Sequence, residues 1–294
     1  MEHLSPNAIE ALKLSNQDRI TYIRKERWLG YPTAKTVMNQ LEDLFKYPKR
    51  SRMPNLLIIG DTNNGKTTIA KHFHSKFPAF LESPEKSVVC PILYIQAPPV
   101  ADESRFYASI IQRYAAPYRT SDRVEKKMNQ ALTLMQNTQV KMLIIDEFHH
   151  ILAGNSNKHR AMLNVIKYIG NELMIPVVGI GTKDAFVAIQ SDPQLSNRFD
   201  HAYLPRWKYN KEFCSLLLSL EHILPLKNKS NLTEDDKARK ILALTEGAFG
   251  EIYRLLTELA VYGVVSGEEK ISLDHIDKIN WIAPYERAKR SLHM

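Results

Sequence analysis

Cysteine is scarce: only Cys90 and Cys214 occur in 294 residues, in separate segments and each among apolar neighbours. That scarcity argues against a disulfide framework or a cysteine-built zinc site and leaves two buried free thiols as the expectation. Long apolar runs are missing as well. The strongest stretches, 56–59 and 143–145, fall far short of a membrane span. The first twenty residues carry Glu2, Glu10, Lys13, Asp18 and Arg19 where a signal peptide would be uninterruptedly apolar, so no export is expected and the cytoplasm is the expected compartment. Internal repeats and low-complexity runs are absent too.

What is present is an ordinary globular composition, 44% hydrophobic and 24% charged, on a chain long enough to bury a core. The formal net charge is +8. A basic excess of this size suits nucleic acid, whose phosphates release counterions to Lys and Arg, but it also occurs on proteins that bind none. Charge alone leaves both readings open.

Along the chain, residues 1–50 read as a polar helical extension with a break at Gly30-Tyr31-Pro32. After the break Ala34, Val37, Met38, Leu41, Leu44 and Phe45 recur at helical spacing. A basic connector, Lys46 to Arg52, leads into residues 51–206, where short apolar runs alternate with amphipathic helices. The runs at 55–59, 88–96, 142–146, 176–180 and 201–204 read as strands. The helical patterns fall at 66–77, 104–115, 124–137, 157–172 and 183–190. Such alternation predicts an α/β domain with a five-stranded parallel sheet covered on both faces. From 207 to 294 the pattern is helical only, at 211–224, 235–245, 251–265 and 273–281, which predicts a small C-terminal helical domain.

The first strand runs into Gly60-Asp61-Thr62-Asn63-Asn64-Gly65-Lys66-Thr67, followed by Thr68. This octet satisfies G-x-x-x-x-G-K-[ST], a pattern expected by chance in roughly one protein in a hundred of this length. Its strand-before, helix-after setting is the one the chemistry needs, because the turn directs backbone N–H groups at phosphate oxygens beside a helix N-terminus. Lys66 would reach the β and γ phosphates of ATP and the Thr67 hydroxyl would ligate Mg²⁺. A second apolar strand ends in Asp146-Glu147. Asp146 would hold Mg²⁺, and Glu147 would orient and deprotonate the attacking water. His149 and His150 follow, with no further His or Cys cluster near them in sequence, which gives a metal role little support.

These motifs, with one extra strand between them at 88–96, resemble those of the AAA+ ATPases. The resemblance implies that Thr182, closing Val177-Val178-Gly179-Ile180-Gly181-Thr182, is the polar "sensor 1" residue. It also implies that Arg198, in Leu195-Ser196-Asn197-Arg198-Phe199, is an arginine finger that completes a neighbouring subunit's site; an isolated arginine would otherwise read as a surface ion pair. Gly247-Ala248-Phe249-Gly250-Glu251-Ile252-Tyr253-Arg254 offers Arg254 as "sensor 2", although its spacing from the glycine departs from that of some subgroups. In such proteins the helical domain is a lid, and adenine is held in part by the segment before the phosphate loop. Here that points to Trp28 and Tyr31, whose rings could equally be plain core.

Within AAA+ the chain is similar to the TniB and TnsC family of transposition ATPases. The similarity lies in Arg27-Trp28-Leu29-Gly30-Tyr31-Pro32-Thr33-Ala34, the run from Arg52 to Thr67, Ile145-Asp146-Glu147-Phe148-His149-His150 and Gly181-Thr182-Lys183-Asp184-Ala185. It implies an ATP-dependent regulator that forms a homo-oligomeric ring or helical filament on double-stranded DNA, activates a DDE-type transposase and connects to a TniQ-type adaptor, with no membrane role. Family DNA contacts fall between the second strand and the Asp146 strand, which here selects Arg105, Arg119, Thr120 and Arg123. Interspersed acids (Asp102, Glu103, Asp122, Glu125) keep a solvated helix face as the rival. A helicase-loader ATPase and a signalling or scaffold ATPase without nucleic acid are the alternative functions.

Overall fold

A computed structural model describes residues 2–83, 88–152, 156–190 and 192–291. By contact the chain divides into two units. One comprises Thr33–Asp61 and Lys66–Leu204; the other comprises Met1–Pro32, Thr62–Gly65 and Pro205–Met294.

The first unit contains strands β1 (Asn55–Gly60), β2 (Phe80–Leu81), β3 (Val88–Val89), β4 (Ile92–Gln96), β5 (Met142–Asp146), β6 (Val177–Gly181) and β7 (Phe199–Leu204). Five of them form one parallel sheet in the order β4-β5-β6-β1-β7. The three inner strands are buried along their whole length. Both of their faces are covered, which is why they read as unbroken apolar runs. Edge strand β7 instead alternates, with Phe199, Ala202 and Leu204 buried and Asp200, His201 and Tyr203 exposed. Helices Lys66–Ser75, Glu103–Arg113, Val124–Asn137, Ser156–Glu172 and Lys183–Gln190 connect the strands. Phe106, Ile110, Leu163 and Ile169 from these helices share a core with Leu57, Leu93 and Ile145 from the sheet.

One expected strand is corrected. The run 88–96 is two elements, because Pro91 has no N–H to continue a ladder. Val88 and Val89 pair antiparallel with Leu81 and Phe80, and only Ile92–Gln96 joins the main sheet. Parallel register brings the carboxyl ends of the strands to one edge: Gln96 stands opposite Asp146, Gly181 opposite Ile59, and Gly60 opposite Leu204. In open α/β sheets that edge is where ligands bind.

The second unit is helical, with Pro6–Ala11, Asn16–Arg24, Lys211–Ile223, Asp235–Thr245, Phe249–Ser266, Leu273–Lys278 and Pro284–Ser291. The last expected helix is therefore shorter than 273–281, ending at Lys278 before a fresh start at Pro284. Side-chain caps from Ser5, Ser15, Asn210 and Ser272 open four of these helices. The first fifty residues are shared: their first two helices belong here, through Ile23 in the helical core. Helix Pro32–Phe45 lies almost wholly in the α/β unit.

Two buried carboxylates organise the helical unit. Glu269 accepts both Arg19 Nη1 (3.0 Å) and Nη2 (2.6 Å), with Arg19 only 2% exposed. Glu221 accepts the backbone N–H groups of Ser230, Asn231 and Leu232 at 2.7, 2.9 and 3.0 Å, which fixes the loop after its helix. Among the described residues no helix is long and apolar enough to cross a membrane.

Candidate nucleotide site

At the carboxyl edge of the α/β unit, β1 delivers Gly60 and Asp61, and the helix that opens with Lys66 and Thr67 returns from the loop. Gly60 is required by closeness: a Cβ there would lie 2.9 Å from the Leu204 carbonyl oxygen on β7. Lys66 donates from Nζ to the carbonyls of Gly60 (2.9 Å) and Asp61 (2.7 Å), so its ammonium is held against the loop. Burial pulls the Lys66 pKa below the ordinary lysine value, against the opposing pull of Glu147, Asp146 and Asp61. Asp61 also lies 3.9 Å from the Lys183 ammonium.

Two strands away, β5 ends at Asp146, which is 7% exposed. Its Oδ2 accepts the Thr67 hydroxyl at 2.9 Å and the Tyr94 hydroxyl at 2.6 Å, while its Oδ1 accepts the Glu147 N–H at 2.8 Å. The structure thus brings together the two residues expected to hold Mg²⁺. A hydroxyl and a carboxylate in direct contact form a hard, all-oxygen donor pair, which fits Mg²⁺ with water and phosphate oxygens completing its shell. Tyr94 is a residue that sequence reasoning missed. The only signal for it was a phenol inside an otherwise apolar strand, two residues before the strand's end.

Glu147 adopts the left-handed backbone region, φ 53°. Such a conformation is uncommon away from glycine and clusters at functional sites. It lets Phe148 enter the core while the Glu147 side chain stays 42% exposed, with its Oε2 3.5 Å from His149 Nε2. Burial, and then the neighbouring His150, push the His149 pKa down. Glu147, His149 and His150 bring potential ligand atoms within 4.8 Å of one another, but their nitrogen content does not suit Mg²⁺. Thr182 directly follows β6, the strand lying between β1 and β5, and its hydroxyl is 3.4 Å from Asp184 Oδ2. Thr68 is half-buried in the first turn after the loop.

The tip of the loop, Thr62–Gly65, groups with the helical unit. Asn63 and Gly65 take positive φ, 59° and 82°. Helix Phe249–Ser266 begins after Ala248, which has no side chain to cap it. The loop supplies the cap: Asn64 Oδ1 accepts the Phe249 N–H (3.3 Å) and the Asn63 carbonyl accepts the Gly250 N–H (2.9 Å). Asn64 Nδ2 donates to the Pro205 carbonyl (3.0 Å), and Asn63 Nδ2 donates to Glu251 Oε1 (2.9 Å). Thr62 is exposed at the outside of the turn. Tyr31 meets Trp207 edge-on at 5.2 Å and Phe249 at 5.4 Å between ring centres. A Cβ on Gly65 would lie 3.1 Å from Phe249 and 3.5 Å from the Tyr31 hydroxyl. Burial pushes the Tyr31 pKa up to about 12, so it remains a neutral donor. Trp28 is half-buried in the same unit, and Trp207 and Phe249 are ring partners the sequence did not single out.

The model of the bacterial TniB protein family matches residues 19–209, well over half of the chain. The chain belongs to the TniB family. No curated protein matches it. Among solved structures it is similar to the ORC2 protein of Aeropyrum pernix in ADPNP and ADP complexes, with TM-score 0.53 and 14% identity over 87% of this chain and 70% of that one. It is also similar to Cdc6p from Pyrobaculum aerophilum, with TM-score 0.56 and 13% identity over 85% and 67% of the two chains. The A. pernix ORC1 protein in complex with DNA gives TM-score 0.58 and 14% identity over 92% and 69%. At such identities the likeness establishes the fold, and that fold is AAA+.

Arg198 of this TniB-family chain precedes β7 and donates from Nη1 to Asn171 Oδ1 at 2.8 Å. Its backbone carbonyl accepts the N–H of Asn55, the first residue of β1. Gly60 lies at the other end of β1, so Arg198 sits roughly 17 Å along the strand from its own chain's phosphate loop. Arg254 is exposed on its helix, with its guanidinium 5.3 Å from the Trp281 ring centre. Arg105, Arg119, Thr120 and Arg123 are all exposed. Among the described residues no carboxylate pairs with the guanidinium of Arg105, Arg119 or Arg123; Lys126 takes Asp122 (2.7 Å) instead. Lys127, by contrast, is a buried strut, donating to Ser104 Oγ and the Thr120 carbonyl at 2.8 Å each.

Proposed function

We propose that this TniB-family protein is an ATPase that regulates DNA transposition by assembling on double-stranded DNA in an ATP-dependent way. The observation that carries this reading is the Thr67–Asp146 contact of 2.9 Å beside Lys66, on a chain whose family match is to TniB. Loop N–H groups and Lys66 bind the triphosphate. Bound at Thr67 and Asp146, Mg²⁺ would neutralise charge on the phosphate oxygens. Glu147 takes a proton from water as the water oxygen bonds to the γ-phosphorus. The bond to the β–γ bridging oxygen breaks, and ADP leaves with the electron pair. Thr182 orients the water or γ-phosphate, and Arg254 acts as the "sensor 2" residue. Tyr31, with Trp28, contributes to the adenine pocket.

Arg198 serves a neighbouring copy, stabilising the charge that develops during transfer. Its distance from its own loop supports this. ATP then bridges copies, so a homo-oligomeric ring or helical filament forms while it is bound and loosens after hydrolysis. Arg105, Arg119, Thr120 and Arg123 contact DNA phosphates, which favours duplex binding without base preference. The assembled form recruits and activates a DDE-type transposase and meets a TniQ-type adaptor. The test is ATPase rate per subunit against protein and duplex concentration. A rise with both is expected, whereas a rate indifferent to both would overturn the intersubunit site.

A further inference from the structure

A second polar concavity lies at the opposite, amino edge of the same sheet. It is a cleft of about 750 Å³ lined by the connector before β1 and the turn before β7, and it includes Arg50, Arg52, Gln194, Asn197, Arg198 and Asp200. Three arginines and one aspartate are among the residues that line it. Among the described residues none of the three forms an ion pair with any acid. Two are positioned by contacts that leave their charge unsatisfied. Arg198 is held by Asn171 and by its backbone bond to Asn55, and Arg50 stacks on Tyr47 with Cζ 4.8 Å from the ring centre. Arg52 is exposed with no hydrogen-bond partner among the described residues.

Three arginines against a single carboxylate leave an excess of positive charge that raises the local potential, and a bound anion relieves it. Planar guanidinium forks match phosphate oxygens two at a time. A concave volume of this size accommodates a compact charged group, whereas a duplex backbone is followed by an open surface. We propose that Arg50 and Arg52 join Arg198 in a polyphosphate-binding cleft that takes the nucleotide carried by a second copy of this chain. The inference rests on the reading that Arg198 acts across a subunit boundary, and it adds the connector as a further part of the acting face.

The experiment mixes paired defects. Lys66→Ala impairs a subunit's own phosphate loop and keeps its cleft; Arg50→Ala/Arg52→Ala does the reverse. Each alone is expected to lose at least about 10-fold in hydrolysis, as removal of a charge-stabilising donor does. Monomeric Arg50→Ala/Arg52→Ala protein should still bind ATP with unchanged affinity, which shows that its fold and own loop are intact. An equal mixture should recover to about a quarter of the parent rate, because one head-to-tail contact in about four then joins an intact loop to an intact cleft. Arg50→Lys/Arg52→Lys should retain ATP-driven self-association, measured by sedimentation, better than the alanine pair. If Lys66→Ala complements Arg198→Ala but not Arg50→Ala/Arg52→Ala, the connector has no such role and the proposal fails alone. If neither mixture recovers, the intersubunit reading fails with it. If Arg50→Ala/Arg52→Ala weakens duplex binding but spares hydrolysis and self-association, the cleft serves DNA phosphate and the proposal is overturned.

Discussion

The Tyr94 hydroxyl donates a 2.6 Å hydrogen bond to Asp146 Oδ2, the same oxygen that accepts the Thr67 hydroxyl. Burial first, and then the bond to Asp146, push the Tyr94 pKa far up, so it stays protonated. The acidic end of β5 is therefore aimed by a residue on β4. A hydrogen bond to a charged group contributes about 1.5–3 kcal/mol. Tyr94→Phe should lower kcat about 10-fold through misorientation of Asp146, with nucleotide affinity changed less than about 2-fold. A magnesium titration of steady-state hydrolysis checks this; parent-like kcat and magnesium dependence would rule it out.

Glu147→Gln removes the base and keeps the side chain's size and its left-handed turn. Hydrolysis should fall by about 10²–10⁴-fold, while ATP binding persists and assemblies on duplex DNA outlast those of the parent. Electron microscopy after ATP addition reads the outcome, and rapid disassembly of the variant would contradict the assigned role.

Burial depresses the Lys66 pKa, and a bound triphosphate would raise it. The bound form therefore holds the proton more tightly. Affinity for ATP is complete below the free-state pKa and falls as pH rises through it, beginning below the ordinary value of 10.5. Calorimetry in two buffers of different ionisation heat should detect proton uptake on binding at alkaline pH. Affinity rising with pH in that range would refute the assignment.

Much of this was readable from the chain. The parallel sheet follows from β1, β5 and β6 being apolar on consecutive positions, and the phosphate loop follows from its motif lying between a strand and a helix. The break at Cys90-Pro91 is obscured because Val88-Val89 continues the apolar run: Pro91 is its one sequence mark, and the pairing with Phe80-Leu81 shows the separate ladder. The pairing of Tyr94 with Asp146 was not readable, since 52 positions separate them and only the β4–β5 register makes them neighbours. Ala248 likewise gave no hint that its helix would borrow a cap from residues 63 and 64.

Arg19 and Glu269 test the helical unit. Removing one member of a buried pair costs about 3–5 kcal/mol because the other stays charged, and without Arg19 the Glu269 carboxylate keeps only the longer contacts to Lys227, 3.8 Å from its ammonium and 3.4 Å from its N–H. Arg19→Ala should lower the unfolding midpoint strongly, and adding Glu269→Ala should recover part of the loss. Additive losses in denaturant melts would show the pair to be uncoupled.

Asn64 is 2% exposed and bonds on both sides of its amide, to Phe249 and Pro205. Asn64→Ala takes the acceptor from the buried Phe249 N–H at the helix end and the donor from the part-buried Pro205 carbonyl, at about 1–3 kcal/mol. Reduced stability should accompany weakened ATP binding, whereas a parent-like melting curve would argue against the cap.

Because the amides of Phe249 and Gly250 are held by Asn64 and Asn63, solvent can reach those two protons only when the tip of the phosphate loop lets go. Their deuterium uptake is thus a built-in clock for the loop. A ligand that rearranges residues 62–65 must change that clock's rate, and one that leaves the tip alone must not. Loop dynamics can therefore be timed from the first turn of a helix some 185 residues further along the chain.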